Sequence, residues 1–223
     1  MAIRVIDDSK LQDIAVAIQG KDGGSQMTVD EMPTRIATIP TQDNALLYSL
    51  INRSITGIEN SEVTSIGVST FRDCTNLTSV SLPNVTGIGA NAFYSCTNLT
   101  SVSLPNVTSI STNAFYSCSN LTSVSFPNAT SIGNIAFQSC SNLTSVSFPN
   151  ATSIGSGVFN SCTSLATLIL GKRATLSKSN VFDGANNVII YVQPEDLSWY
   201  STATNWSVLY TAGRVKSIEE LPT

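Results

Sequence analysis

The chain has 223 residues, a formal net charge of −4 and no histidine. The segment from Cys74 to Gly171 contains no charged residue, which argues against a nucleic-acid groove and against electrostatic membrane binding, because both need lysine and arginine. No window approaches about 18 consecutive apolar residues, so no membrane insertion is predicted.

Residues 1–40 are predicted to form a small helical hairpin. Asp8 and Ser9 can cap a first helix, which carries apolar residues at positions i, i+3, i+4 and i+7. Thr28 and Glu31 have the spacing of a capping box and can open a second helix. Acidic residues stand near the N-terminus where a signal peptide needs a basic and then an apolar run, so no classical secretion signal is expected.

A unit of 22 residues is repeated between residues 55 and 193, after a linker at residues 41–54. One phenylalanine, one cysteine and one leucine recur in each unit at a fixed phase. These residues are Phe71, Phe93, Phe115, Phe137 and Phe159; Cys74, Cys96, Cys118, Cys140 and Cys162; and Leu77, Leu99, Leu121, Leu143 and Leu165. A period of this length is typical of a solenoid, in which each repeat forms one coil and buries its apolar side against the next.

Each unit is predicted to contain a strand, a turn, a short return strand and a helical turn. Val102 and Leu104 alternate with serines, which indicates a half-buried strand. Pro105 ends that strand because proline donates no ladder hydrogen bond. The phenylalanine and cysteine of each unit lie three residues apart, as on one face of a single helical or 3₁₀ turn. Stacked coils are expected to form parallel ladders with a rise of about 4.8 Å.

The cysteine row favours a ladder of buried thiols over disulfides or a metal site. Cysteine is among the most buried residue types. Equivalent side chains in adjacent coils would be parallel and about 4.8 Å apart, whereas a disulfide needs Cβ atoms that converge to about 3.8 Å. Zinc ligands must converge on one point, which one cysteine per coil does not provide.

Residues 194–223 are predicted to form a C-terminal cap. Pro194 can open a helix that contains Trp199, a second helical turn surrounds Trp206, and residues 214–218 can add a last strand. Terminal coils need atypical caps, and packing of such a cap explains both tryptophans. A binding site built from tryptophan and tyrosine is the alternative.

The sequence predicts a protein that is not an enzyme and has no cofactor or metal. Without histidine, the Ser–His and Cys–His pairs of nucleophilic catalysis are excluded. Carboxylates occur only toward the two ends of the chain and do not face one another across a shared cleft. No glycine-rich phosphate loop follows a strand and opens a helix.

The pattern SIGxxAFxxCxNLTSVxLPNxT resembles the BspA-type leucine-rich repeat of bacterial and phage proteins. The resemblance covers about residues 55–193. It implies an α/β solenoid, a right-handed BspA-like leucine-rich repeat with 22-residue coils, a small helical N-terminal piece and a helical C-terminal cap. It also implies that the TSVSL strands lie on the concave side.

The segment LQDIAVAIQGKDGGSQMTVDEMPTRIATI is similar to a segment of minor structural and tail-associated proteins of phages and prophages of Gram-positive gut bacteria. The similarity is carried by Ile18, Lys21, Gly23, Gly24, Met32 and Ile36, with Gln19 at a position that is otherwise basic. The segment YVQPEDLSWYSTATNWSVLYTAGRVKSI resembles the segments that close such repeats in the same phage-like proteins.

The main functional hypothesis is therefore a virion protein of a phage tail or baseplate, assembled in the bacterial cytoplasm and used for host attachment. The alternative is an adhesin or interaction module on the bacterial cell surface. A third hypothesis, binding of a regular lattice by rows of serines, has less support because any stacked repeat produces such rows. The expected partner is a protein or a cell-surface glycan, not a nucleic acid, and residues 1–40 can bind a virion partner or a second copy.

Two groups of residues are candidates for the binding site. Rows of serines on the concave strands can supply hydroxyl groups, and two tyrosines on the helical-turn side can supply aromatic surface, which binding hot spots favour. The candidates are Ser79, Ser81, Ser101, Ser103, Ser123, Ser125, Ser145, Ser147, Tyr94 and Tyr116. The serine rows continue into Thr167 and Ile169.

Overall fold

The computed structural model describes residues 55–61 and 63–222. The predicted helical hairpin at residues 1–40 and the linker at residues 41–54 lie outside these residues. The described part contains the repeats, followed by the C-terminal cap.

Each coil contributes one long strand, and every described coil except the last also contributes one short strand. The long strands are β1 (Gly57–Glu59), β3 (Ser79–Ser81), β5 (Ser101–Ser103), β7 (Ser123–Ser125), β9 (Ser145–Phe148), β11 (Thr167–Leu170) and β13 (Ile189–Val192). The short strands are β2 (Ser65–Ile66), β4 (Gly87–Ile88), β6 (Ser109–Ile110), β8 (Ser131–Ile132), β10 (Ser153–Ile154) and β12 (Thr175–Leu176). The predicted order of strand, turn and return strand is confirmed.

Equivalent strands of successive coils pair in parallel with a register of 22 residues. Ser79 of β3 lies between Gly57 of β1 and Ser101 of β5. The short strands form one sheet in the order β12-β10-β8-β6-β4-β2. The long strands form two sheets, β1-β3-β5 and β7-β9-β11-β13, so the pairing is interrupted between β5 and β7; the second sheet is extended by the cap strand β14 (Val215–Ser217). The parallel ladders are as predicted, but the interruption was not predicted.

A column of phenylalanine rings runs through the centre of the solenoid. Phe93 and Phe115 are fully buried, and their ring centroids lie 5.1 Å apart with the ring planes 10° from parallel. The column extends from Phe71 to Phe182 with neighbouring centroids 5.1–6.0 Å apart. Burying a phenylalanine side chain contributes roughly 1.5–3 kcal/mol, and each ring completes its burial only against the coils on either side.

The segments that carry these phenylalanines are turns rather than the predicted helical turns. The N–H groups of Asn91, Phe93 and Ser95 donate to carbonyls of the next coil, whereas those of Tyr94 and Cys96 donate three residues back within their own coil. Alternation between the two directions prevents a continuous helix. Among the described coils, only the last forms a 3₁₀ helix in the equivalent segment, Ser179–Phe182.

In each of these turns, where N–H groups donate alternately to the next coil and to their own coil, two residues lie in the left-handed region of the backbone. Asn91 and Asn113 have φ angles of 56° and 58°, a conformation that asparagine tolerates. Ile135 occupies the same position in the next coil with φ of 51°, which is strained for a β-branched residue. Asn113 donates from Nδ2 to Oδ1 of Asn91 at 3.1 Å, but its own buried Oδ1 has no hydrogen-bond partner among the described residues. The asparagine ladder therefore stops at Ile135.

The cysteines form the predicted thiol ladder. All five lie within the described residues, all are buried, and none is paired in a disulfide. The Sγ atom of Cys118 donates to the carbonyl of Phe93 at 3.1 Å, and Cys96, Cys140 and Cys162 make the equivalent bond at 3.0–3.1 Å. Burial raises the pKa of Cys96 and Cys162 to about 12, and it raises the pKa of Cys118 and Cys140 well above the ordinary thiol value.

The C-terminal cap has the predicted composition of helices and one strand. It contains 3₁₀ helices at Pro194–Asp196 and Ile218–Glu220, helices α1 (Leu197–Thr202) and α2 (Ser207–Thr211), and strand β14 (Val215–Ser217), which pairs with β13. None of the described helices is long and apolar enough to cross a membrane.

The aromatic residues of the cap close the end of the core. Trp206 is fully buried and donates from Nε1 to the carbonyl of Ala174 at 2.6 Å. The hydroxyl of the buried Tyr200 donates to the carbonyl of Lys172 and accepts from the N–H of Ala174. These contacts support the packing interpretation of the cap rather than a binding site around Trp206.

Replacing Ile135 by Asn is expected to stabilise the protein. Asparagine relieves the backbone strain, and its Nδ2 can donate to the unpartnered Oδ1 of Asn113, so the free energy of unfolding should rise by about 1–2 kcal/mol in urea titrations. The control Ile135→Gly relieves the strain without supplying an amide and should give a smaller gain. A less stable Ile135→Asn variant would contradict this account of the ladder.

Stability is expected to fall as the pH rises from about 9 to 12. The thiols have a higher pKa in the folded protein than their ordinary value of 9.0, so the folded state retains protons that the unfolded state loses in this window. Each such thiol contributes a slope of about −1.4 kcal/mol per pH unit. Tyr200, whose pKa burial raises to about 12, acts in the same direction.

Urea unfolding between pH 8 and pH 11 can measure this slope. The Cys118→Ala variant should be less stable than the parent at pH 8, but its stability should fall less steeply with pH. Tyr200→Phe separates the contribution of the phenol from that of the thiols. Parallel pH profiles for the parent and Cys118→Ala would show that this thiol is not buried as described.

Candidate functional site

The outward-facing residues of the long strands form one surface, which we call the serine face. In β3 the outer residues are Ser79 and Ser81, while Val80 between them is buried. The same alternation holds along β5, β7 and β9 because side chains of a strand point to opposite faces in turn. All eight predicted serines lie on the serine face.

A groove of about 530 Å³ crosses the serine face. It spans strands β5, β7, β9 and β11, and its lining includes five of the eight predicted serines. The lining residues are Val102, Ser103, Leu104, Pro105, Ser123, Val124, Ser125, Pro127, Ser145, Val146, Ser147, Thr167 and Ile169. The other three predicted serines, Ser79, Ser81 and Ser101, lie outside the groove.

The groove includes the junction at which β5 and β7 do not pair. At the β3–β5 junction the Thr100 N–H donates to the Thr78 carbonyl, and at the β7–β9 junction the Thr144 N–H donates to the Thr122 carbonyl. The equivalent bond from the Thr122 N–H to the Thr100 carbonyl is absent. The bond expected from the Leu104 N–H to the Ser125 carbonyl is also absent. This opening leaves polar main-chain groups of both strands at the groove.

The opening also exposes part of the core. Val80, Val124 and Val146 are 1%, 5% and 2% exposed, respectively, whereas Val102 at the equivalent position is only partly buried. Val102 therefore supplies an apolar contact that its counterparts in the other coils do not offer.

A change in core packing coincides with this junction. The β5 coil places Leu104 and Val107 in the core, whereas the β7 coil places the larger Phe126 and the smaller Ala129 there. The Phe126 ring lies 5.9 Å from the Phe115 ring and is tilted by 43°. Core volume is thus redistributed within the coil, and this paired exchange coincides with the junction that does not pair. The change from Phe148 to Leu170 between β9 and β11 does not have this effect, because those strands remain paired.

The change of core residues at the open junction is visible in the sequence, although only the structure shows that it coincides with a break in strand pairing. SLPNV at residues 81–85 and 103–107 becomes SFPNA at residues 125–129 and 147–151. The paired change from leucine and valine to phenylalanine and alanine begins at the open junction. No sequence feature singled out Val102 itself, because Val80 has the same neighbours in the sequence.

The two predicted tyrosines do not belong to the groove. Tyr94 and Tyr116 lie on the turn segments, where their rings stack with centroids 4.7 Å apart and planes 5° from parallel. The guanidinium of Arg72 lies over the Tyr94 ring at 4.5 Å from its centroid. The tyrosines thus stack on one another and on Arg72, and the predicted serines and tyrosines form separate surfaces.

No residue that lines the groove is charged or titratable. Its polar groups are serine and threonine hydroxyls and main-chain amides, and its apolar groups come from valine, leucine, isoleucine and proline. Among the described residues, no group of three or more histidine, cysteine or acidic side chains could hold a metal ion. The groove therefore offers hydrogen bonds and apolar contacts to a ligand, but no acid, base or nucleophile pair.

Comparison with known families identifies the repeats. The profile of the BspA type leucine-rich repeat region matches residues 64–189 in six copies. The chain belongs to this family. The resemblance inferred from the repeated motif is therefore confirmed, as is the solenoid fold; family members are typically binding modules rather than enzymes.

Two solved structures combine a similar fold with about one-third sequence identity. A leucine-rich repeat protein of T. pallidum is 32% identical, with a TM-score of 0.55, over 59% of this chain and 63% of that chain. A leucine rich cell surface protein of Faecalibacterium prausnitzii A2-165 is 30% identical, with a TM-score of 0.57, over 62% of this chain and 39% of that chain.

A more distant structure shows the fold alone. The pneumococcal vaccine antigen PcpA is 19% identical, with a TM-score of 0.52, over 72% of this chain and 39% of that chain. The BspA-type chain described here thus spans less than two thirds of each of these proteins. No curated protein sequence matches it.

A double substitution should move the open junction. Phe126→Leu combined with Ala129→Val gives the β7 coil the same core pair as the β5 coil, so we expect β5 and β7 to pair. The Leu104 amide should then gain about tenfold protection from hydrogen exchange, the value of about one hydrogen bond. The Thr144 amide at the β7–β9 junction should lose protection, because the packing change now falls there.

The single substitution Phe126→Leu is the matched control. It removes core volume without the compensating valine, so it should destabilise the protein by about 1–3 kcal/mol and leave the Leu104 amide unprotected. Unchanged exchange at Leu104 in the double variant would show that core packing does not open this junction.

Proposed function

We propose that this BspA-type protein is a binding module of the bacterial cell surface and attaches to its partner through the serine face. The groove across β5 to β11 is the observation that carries the proposal, because it joins five predicted serines, exposed apolar atoms and unpaired main-chain groups in one place. Solenoids use extended surfaces of this kind for binding. Leucine-rich repeats commonly bind proteins, and the partner proposed here is a protein or a glycan.

The comparisons support the cell surface as the location. The Faecalibacterium protein, at 30% identity, is described as a cell surface protein. That likeness covers 62% of this chain. The proposal therefore favours the adhesin hypothesis over the virion hypothesis.

The virion hypothesis stays a prediction. It rests on the resemblance of residues 1–40 to phage and prophage proteins, and these residues lie outside the described part of the chain. Recovery of the protein in purified phage particles, or tail genes beside its own gene, would favour it. Protease treatment of intact bacteria that removes the protein from their surface would favour the adhesin.

Binding to cells should depend on the serine face. We expect the labelled full-length protein to bind cultured epithelial cells, and Ser125→Lys to reduce that binding at least about tenfold, because it places an unpaired charge in the uncharged groove. Ser109→Lys, on the exposed part of the short-strand sheet, adds the same charge elsewhere and should bind normally. Equal loss in both variants, or no loss in either, would contradict the assignment of the serine face.

A further inference from the structure

We infer that the groove binds a neutral, linear polysaccharide and that the open junction between β5 and β7 is where binding is anchored. This inference rests on the proposed function and specifies its ligand. It depends on three properties of the groove: its lack of charge, the spacing of its hydroxyl groups and the unpaired main-chain groups at the junction.

The lack of charge selects a neutral ligand. The lining residues all fall within the segment from Cys74 to Gly171, which contains no lysine, arginine, aspartate or glutamate. A sulfated, phosphorylated or sialylated ligand would lose hydration at its anionic groups and gain no cation in return. The groove also lacks the tryptophan, tyrosine and arginine that anchor most protein interfaces, which favours a glycan over a protein surface.

The hydroxyl groups match the chemistry of sugars. Each serine hydroxyl can donate and accept, and it can rotate to suit its partner, as sugar hydroxyls also do. Ser103, Ser125 and Ser147 occupy equivalent positions in β5, β7 and β9. Main-chain pairing between β7 and β9 places Ser125 beside Ser147. The paired strands β7, β9 and β11 are about 4.8 Å apart, so a polymer that crosses them meets an equivalent hydroxyl or side chain once per coil.

Apolar contacts complete this surface. Val102 is only partly buried, and Pro105 and Pro127 lie along the edge where the long strands end. The C–H groups of a sugar ring can pack on these atoms while its hydroxyls reach the serines. Sites of this type commonly combine apolar walls with a small number of placed polar groups.

The open junction gives the groove one position that differs from the rest. The Leu104 N–H and the Ser125 carbonyl, both from residues that line the groove, lack the ladder bond that equivalent groups make at neighbouring junctions. Main-chain groups are strong donors and acceptors and have a fixed direction, unlike the rotating hydroxyls. They can therefore fix the position of a polymer that the repeated serines alone would allow to slide by one coil.

Affinity electrophoresis of the full-length protein in native gels tests this inference. The neutral probes are dextran, mannan and hydroxyethylcellulose, and the anionic probes are hyaluronan and heparin. We expect at least one neutral polysaccharide to retard the protein and neither anionic one to do so. Retardation by no neutral probe, or stronger retardation by heparin or hyaluronan, would overturn it.

Four variants locate the site on the protein. Ser125→Lys and the double variant Ser103→Ala with Ser125→Ala should each weaken retardation by the neutral probe at least about tenfold, while Ser109→Lys should not. The double variant Phe126→Leu with Ala129→Val changes no polar side chain but is expected to close the junction, and it should also weaken binding. Unchanged retardation in the first two variants would show that the groove is not the polysaccharide site.

The outcomes separate this inference from the proposed function. If Ser125→Lys abolishes binding to cells but no neutral polysaccharide binds, the serine face is a binding surface and its ligand is not a neutral glycan. Loss of cell binding after protease treatment of the cells would then identify a protein partner. If neither cells nor polysaccharides depend on Ser125, both the inference and the proposed function are wrong.

Discussion

The structure depends on main-chain hydrogen bonds between coils that are 22 residues apart. These bonds join the long strands, the short strands and the turns, so neighbouring coils are held together on three sides, except between β5 and β7, where the long strands do not pair. This register places each phenylalanine ring, thiol and leucine side chain on its equivalent. Because a single coil buries little apolar surface alone, the stability of each coil lies mainly in its interfaces. Any feature that disturbs one interface remains local, and the opening between β5 and β7 is such a feature.

Much of the fold could be predicted from the spacing of residue types. Fixed phases of phenylalanine, cysteine and leucine were sufficient to predict stacked coils, parallel strands and buried thiols. The turns were predicted incorrectly, because a spacing of three between Phe93 and Cys96 fits a helical turn, while the actual hydrogen bonds alternate between neighbouring coils. That alternation depends on contacts between coils, which the spacing within one coil does not reveal.

The candidate site was only partly predictable. Alternation of serine with valine placed the eight serines on one surface correctly, but it treated all coils as equal. The groove distinguishes them, because the exchange of Leu104 and Val107 for Phe126 and Ala129 alters the fit between two particular coils. The tyrosines were grouped with the serines on residue type alone, and only the structure shows that they form a separate stack beside Arg72.

The four coils of β3, β5, β7 and β9 fall into two kinds by their core pair, leucine with valine or phenylalanine with alanine. This has a consequence for how such a protein can change in length. Duplication or loss of a whole coil within either kind preserves every matching interface, because the incoming neighbour carries the same core pair. The junction between the two kinds of coil is retained, and only the number of coils between it and each end of the solenoid changes. A lineage of these proteins could therefore become longer or shorter by recombination while it keeps one open junction.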